Sequence, residues 1–211
     1  VAVVTRRERQ RQETRDEILG VARRQLAEQG AANLSLRAIA AALGLTAPAI
    51  YRYFASRDAL LTALIVDAYD DLGAALTAAP FTETAASSLR ARMLAYRRWA
   101  LGHPEQFTLV FGTPVPGYAA PREETVPAVR RAFAAFVAPV AEAVGGLGGD
   151  PPGQTWPPAL REQVLLAWAD LHGLVMLELT GHLRPAVADV DALVHAGIDA
   201  ATERVARTLS G

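Results

Sequence analysis

The sequence predicts an all-α fold in two parts, a small three-helix head followed by a larger helical body. Alanine and leucine are abundant, and apolar residues recur three and four positions apart, the period of a helix with one buried face. Alternating runs of β-branched residues, the mark of a half-buried strand, are absent. Glycines and prolines then cut the 211 residues into about nine pieces.

In chain order, the first helix is expected over about Glu13–Gln29, with Ile18, Leu19, Ala22 and Leu26 on one face and Gly30 ending it. Ser35 caps a short helix that closes near Leu43, and Gly44 supplies the turn after it. Thr46 caps a third helix reaching Tyr53. Ser56 caps a long fourth helix, Arg57 to about Thr77, whose inward stripe is Leu60, Leu61, Leu64, Ile65, Ala68 and Leu72. Past Pro80 the dividers are Pro104, the stretch Pro114–Pro121 and the run 145–158; they leave helices over about 84–102, 105–111, 122–144, 158–182 and 189–209. The run GGLGGDPPGQTWPP is too rich in Gly and Pro for helix and reads as a flexible loop. The expected division is a head at 1–57 and a body at 58–211.

A chain of this length buries a core without a disulfide scaffold, and the lack of cysteine excludes disulfides, thiol catalysis and Cys-ligated zinc. Val1–Val4 is an apolar patch far too short for a signal or spanning segment, so a soluble, cytoplasmic protein is expected, with no membrane partner. His103, His172, His182 and His195 are scattered, and Asp67, Asp70 and Asp71 have no histidine at ligand spacing; no metal or other cofactor is expected. G-x-S-x-G, H-E-x-x-H, P-loop and paired-carboxylate patterns are all missing, and the glycines at 145–149 follow no strand, which argues against an enzyme.

The net charge of −1 conceals a separation. The first 60 residues hold ten arginines against six carboxylates, whereas the remainder holds 11 arginines and 16 carboxylates. A cationic end on an acidic body suits a head that binds a polyanion. Every basic residue is Arg, whose planar fork matches phosphate oxygens and the guanine edge.

The segment Ser35–Phe54 has the composition of a helix-turn-helix. Two short helices that cross closely need a small residue in the first, a turn residue tolerating positive φ, and apolar anchors on both sides. Ala40, Gly44 and the set Ile39, Leu43, Leu45 and Ile50 meet these needs. Thr46, Ala47, Ala49, Tyr51, Arg52 and Tyr53 then fall near the start or outer face of the second helix, where a DNA major groove would meet them.

This segment resembles the DNA-binding domain of the TetR family of bacterial regulators. The family's signature is carried by Leu43-Gly-Leu-Thr46, Pro48, Ile50-Tyr-Arg-Tyr-Phe54, Ser56, Arg57 and Asp58, and about 45 residues match. The resemblance implies that Thr46, Tyr51, Tyr53 and Arg57 contact phosphates, while Arg37, Ala47, Ala49 and Arg52 lie where bases are read; Ser35, opening the first of the two helices, is counted with them. Arg37 and Arg52 are the candidates for direct readout, Arg37 foremost. Alanines offer only methyl contacts, so readout from this helix is expected to be sparse and partly indirect. Phe54 reads as core, and the arginines before residue 16 serve either a solvated tail or DNA contact.

The same resemblance implies a dimeric, ligand-responsive repressor that binds a palindromic operator and is released by a small molecule, dimerising through its last two long helices. Phe111–Pro121, Trp168-Ala-Asp-Leu-His-Gly173 and Leu177-Glu-Leu179 resemble the TetR subgroup whose C-terminal domain is named for a Trp-His-Gly pattern. Trp168, His172 and Met176 share one helical face, and Tyr96, Trp99 and His103 another. With Phe107, Phe111, Phe133 and Phe136 they form a set able to line a cavity for an apolar or aromatic effector, His172 being the polar handle. Aromatic stripes at this spacing serve a close-packed core equally well. Leu183, Val187, Val190, Leu193, Val194, Ile198, Val205 and Leu209 suit either a two-chain four-helix interface or the core of a single chain.

Overall fold

The computed structural model describes residues 5–112, 115–149 and 151–211. Val1–Val4, Thr113 and Pro114 of the Phe111–Pro121 stretch, and Asp150 of the Gly/Pro run lie outside the described residues. The described residues form α1 (Arg6–Gln29), a 3-10 turn (Ala31–Asn33), α2 (Leu36–Ala42), α3 (Ala47–Ile50), α4 (Arg57–Thr77), α5 (Ala85–Gly102), α6 (Pro104–Phe111), α7 (Arg122–Ala143), α8 (Pro158–Leu179) and α9 (Val190–Ser210), with no strand. The fold class is all-α, and no described helix is long and apolar enough to cross a membrane.

Three boundaries differ from expectation, one of them the end of α8, at Leu179 instead of 182. α1 starts at Arg6, because Thr5 and Glu8 form a reciprocal capping box that satisfies the first free N–H groups of a helix with no apolar stripe at that end. α3 is only four residues long; after Ile50 the chain continues as turns through Tyr53, whose N–H donates to the Ile50 carbonyl.

The chain divides into two compact units. One comprises the residues up to Ala68 together with Glu105–Thr125; the other comprises Tyr69–Pro104 and Val126–Gly211. In the first, Ile18 and Ala22 of α1, Ile39 and Ala40 of α2, Ile50, Phe54, and Leu60, Leu61 and Leu64 of α4 are buried in one cluster. Burying each large aliphatic side chain stabilises by about 1.5–3 kcal/mol, which short helices such as α2 and α3 cannot gain from propensity alone. Between them Gly44 takes φ +65°, and the Leu45 N–H reaches the Ala40 carbonyl at 2.9 Å. Leu109, Val115 and Tyr118 return from the middle of the sequence to this cluster, and the Tyr118 hydroxyl lies 2.8 Å from Thr62 Oγ1.

In the second unit α9 packs on α8 and α5. The close approach of α8 and α9 is marked by Gly197, where an added Cβ would lie 2.6 Å from Leu174 Cδ1. Arg97 on α5 ties the three helices together: its guanidinium donates to both Glu178 carboxylate oxygens, at 2.8 and 2.7 Å, and to Asp191 at 2.5 Å. This bond holds the Asp191 carboxyl below the usual carboxylate range.

Arg92, also on α5, is 2% exposed and has no ion pair among the described residues. Its Nη1 donates instead to the carbonyls of Leu76, at 2.9 Å, and Ala135, at 2.5 Å. The residues four positions on, Pro80 and Pro139, have no N–H, so neither carbonyl has the ordinary helical donor.

The Gly/Pro run between α7 and α8 is built of turns around a buried Trp156, whose Nε1–H donates to the Gly146 carbonyl at 3.1 Å.

Candidate nucleic-acid interface

The helix-turn-helix presents its polar residues by burying the others. Ile39, Ala40 and Ile50 are enclosed, so Arg37 on α2 and Tyr51 and Arg52 beyond α3 are left exposed. Tyr51 is 45% exposed, and its hydroxyl makes no intrachain hydrogen bond among the described residues. Tyr53 is half-buried, and Phe54 is buried, as its core assignment requires. Ala47 is exposed and Ala49 half-buried, so at these positions the recognition face offers methyl groups only.

The hydroxyls and cations of the expected set divide by what already engages them. Ser35 caps α2 through the Ala38 N–H at 3.3 Å. Thr46 precedes α3 but makes no side-chain cap bond. The Arg57 Nη2 donates to the carbonyls of Ala31, at 2.6 Å, and Ala32, at 3.2 Å, fastening the start of α4 to the 3-10 turn. Arg37 and Arg52 make no ion pair or side-chain hydrogen bond among the described residues.

Four residues outside the expected set stand beside Arg52 and Tyr53. Arg6, Arg7, Gln10 and Arg11, on the first two turns of α1, line one groove with them, of about 910 Å³. One turn further on, Arg15 fixes α1 to the end of the recognition segment. Its Nη1 lies 3.4 Å from the Tyr53 carbonyl, and its guanidinium carbon sits 4.4 Å from the centroid of the Phe54 ring. By sequence these arginines fit a tail as well as a DNA contact; the Thr5-x-x-Glu8 capping box is the signal that they are helical.

The expected effector residues separate between the two units. Phe107 and Phe111 on α6 belong to the first, their rings 5.1 Å apart. Tyr96, Trp99, Phe133, Phe136, Trp168, His172 and Met176 belong to the second. There the Tyr96 hydroxyl is 2.8 Å from His172 Nδ1, and the imidazole stacks on Trp168 at 5.3 Å. Burial pushes the Tyr96 hydroxyl far above the ordinary tyrosine range and holds the His172 imidazole below the ordinary histidine range. Trp99 stacks on His103 instead, at 5.7 Å, and Phe136 is buried. Phe133 opens on a separate cavity of about 340 Å³, lined also by Pro152, Gln154, Trp156, Arg161 and Val164. Its Trp156 and Gln154 come from the loop that composition alone marks only as irregular.

Against this geometry, two protein-family models match. One, described as bacterial regulatory proteins of the tetR family, matches residues 18–64; the other, a tetracyclin repressor-like C-terminal domain, matches residues 89–201, more than half of the chain. The chain belongs to the TetR family. It is 41% identical over 145 residues to the HTH-type transcriptional regulator Rv1816 of Mycobacterium tuberculosis, covering 67% of this chain and 62% of that protein, so it spans less than two thirds of the curated relatives it matches. Among solved structures, the regulatory protein SCO4313 is 37% identical, with a TM-score of 0.79 over 93% of this chain and 98% of the other. A protein of unknown function from Rhodococcus sp. RHA1 is 30% identical, with a TM-score of 0.69 over 90% and 93% of the two chains. The family models and the curated relative describe transcriptional regulators. The tetR-family match covers Arg37 through Arg57 and begins beyond the arginines of the α1 groove.

Proposed function

We propose that the protein is a TetR-type repressor that binds a palindromic operator as a homodimer and is released by a small apolar or aromatic molecule. The observation that carries the DNA-binding part is the exposed set Arg37, Thr46, Tyr51 and Arg52 on a buried helix-turn-helix scaffold in a cationic head. Thr46, Tyr51 and Tyr53 supply phosphate contacts, joined by the N–H groups of Arg57 that Ala31 and Ala32 leave over; Arg37 reads a base edge, and Ala47 and Ala49 give methyl contacts. The functional boundary is drawn at the start of α4, with 1–57 as DNA-binding domain and 58–211 as regulatory domain.

The dimer reading rests on α8 and α9. Leu166, Gly173 and Leu177 recur along one stripe of α8, with Leu165 beside it, and Leu165, Leu166 and Leu177 are 47%, 43% and 44% exposed. Ala192, Ala196 and Ala200 form an exposed stripe of small residues on α9. Leucines and small residues on neighbouring helices suit four-helix packing between two copies. For the effector, Tyr96, Trp168 and His172 join aromatic surface to a polar handle, and Trp168, His172 and Gly173 support placing the body in the Trp-His-Gly subgroup. Localisation follows from the reading: a DNA-bound regulator acts in the cytoplasm.

A mobility-shift assay against the DNA upstream of the protein's own gene tests the reading. We expect a retarded complex that Arg37→Ala weakens by about tenfold, the value of one good bidentate base contact. Failure of the wild-type protein to bind any palindromic segment would overturn it.

A further inference from the structure

The groove between α1 and the end of the recognition segment is lined by four arginines, a glutamine amide and a tyrosine, without a carboxylate. Two of the acids on α1 are turned to other work. Glu8 accepts from the Thr5 N–H and hydroxyl, both at 2.8 Å, and Asp16 accepts from Gln12 Nε2 at 2.8 Å. The cations are carried on a capped helix, not on a loose tail. Arg7, Arg11 and Arg15 follow one another at a spacing of four, so they share one stripe, and Arg15 is the member that docks on Tyr53 and Phe54. Arg7 and Arg11 are separated by about 6 Å of helix rise. A DNA strand places a phosphate about every 3.4 Å along the duplex axis, so guanidinium groups this far apart can engage different phosphates.

We propose that this groove is a clamp for the phosphodiester backbone of duplex DNA, and that Arg52 belongs to the clamp instead of to base readout. The inference rests on the DNA-binding reading above and adds Arg6, Arg7, Gln10 and Arg11 to it. The occupant must be an extended polyanion: a single small anion would engage one or two guanidinium groups and leave the others repelling each other at close quarters. Gln10 and the Tyr53 hydroxyl supply neutral donors of the kind that orient phosphate oxygens. The clamp reads no sequence. It raises affinity for every duplex and leaves base recognition to Arg37.

The test is fluorescence anisotropy with two labelled duplexes of equal length, one from the DNA upstream of the protein's own gene and one of scrambled sequence, titrated over a range of sodium chloride. Wild type is compared with Arg52→Gln, with the triple variant Arg6→Gln, Arg7→Gln, Arg11→Gln, and with Arg98→Gln, an exposed arginine on α5, as a single-charge control. Every phosphate that is no longer neutralised lowers the slope of log affinity against log salt by about 0.9, so with two heads on the DNA we expect a reduction of about 1.8 for Arg52→Gln and about 5 for the triple variant. Both variants should bind the two duplexes more weakly by the same factor, and the control should bind as wild type does. An unchanged slope in the triple variant overturns the clamp, as does Arg52→Gln weakening only the upstream duplex at constant slope, which would return Arg52 to base reading. Absence of binding by wild type would overturn the DNA-binding reading itself, with the clamp that depends on it. Circular dichroism and thermal unfolding establish that the variants are folded.

Discussion

At the scale of single residues, the second unit depends on one buried cation that serves the backbone. Arg92 answers the Ala135 carbonyl, whose i+4 residue is Pro139, and the Leu76 carbonyl, which besides it accepts from the Ala79 N–H at 3.2 Å, and its charge is tolerated because those dipoles and the face of the Phe81 ring, 4.9 Å away, surround it. We expect Arg92→Met to destabilise the fold by about 2–3 kcal/mol in urea titrations, since it strands polar groups in a dry interior. Adding Pro139→Ala should recover part of the loss by restoring an N–H for Ala135, a non-additive pair that no surface role of Arg92 would produce. His172 gives a pH signature. Its folded-state pKa lies below the ordinary value of 6.5, so the unfolded chain binds the proton more readily. Stability from this source is complete above about 6.5 and is lost as the pH falls towards the lower folded value. The urea midpoint should therefore decline on acidification below that point, and His172→Gln should flatten that part of the curve.

At the scale of elements, α1 illustrates what a sequence does and does not disclose. From Ile18 onward its apolar period is plain, and the same holds for the α4 stripe, where Leu60, Leu61, Leu64, Ile65, Ala68 and Leu72 are all buried as the period demands. The first two turns of α1 carry no apolar stripe, so periodicity is silent there and only the capping box marks the start. Thr5→Ala should cost about 1 kcal/mol of local helix stability. The check is amide hydrogen exchange, accelerated over Arg9–Glu13 while exchange at Ile18–Leu26 stays unchanged. α3 is legible as a motif but not in length, because a four-residue helix held by Ile50 and its neighbours owes its form to packing that no local propensity encodes. The Arg57 bonds to Ala31 and Ala32 and the membership of Phe107 and Phe111 in the first unit are illegible for a related reason. They depend on where distant segments return, and the return of residues 105–125 to the first unit has no signature in spacing or charge.

At the scale of the whole molecule, the charge separation and the exposed leucines point to a division of labour. The head holds the surplus of arginine, while the body, with more carboxylates than arginines, pairs several of them, such as Arg131 with Asp70, Arg90 with Asp199 and Arg204 with Asp170. What the body leaves uncovered is apolar: the leucine stripe of α8 beside the alanine stripe of α9. Individual exposed leucines need no explanation, but an aligned set on the two helices expected to dimerise does. If the protein is the proposed dimer, we expect wild type to sediment as a dimer and Leu166→Glu as a monomer, because two introduced carboxylates would face each other across a two-fold interface without a partner. Its melting temperature should then cease to rise with protein concentration, as mass action requires of a dimer that no longer forms. Operator affinity should fall by more than about a hundredfold with the salt slope approximately halved, since one head in place of two would engage the DNA. A Leu166→Glu protein that remains dimeric would move the interface off α8, and one that becomes monomeric but binds the operator with undiminished slope would show that one head holds all the phosphate contacts.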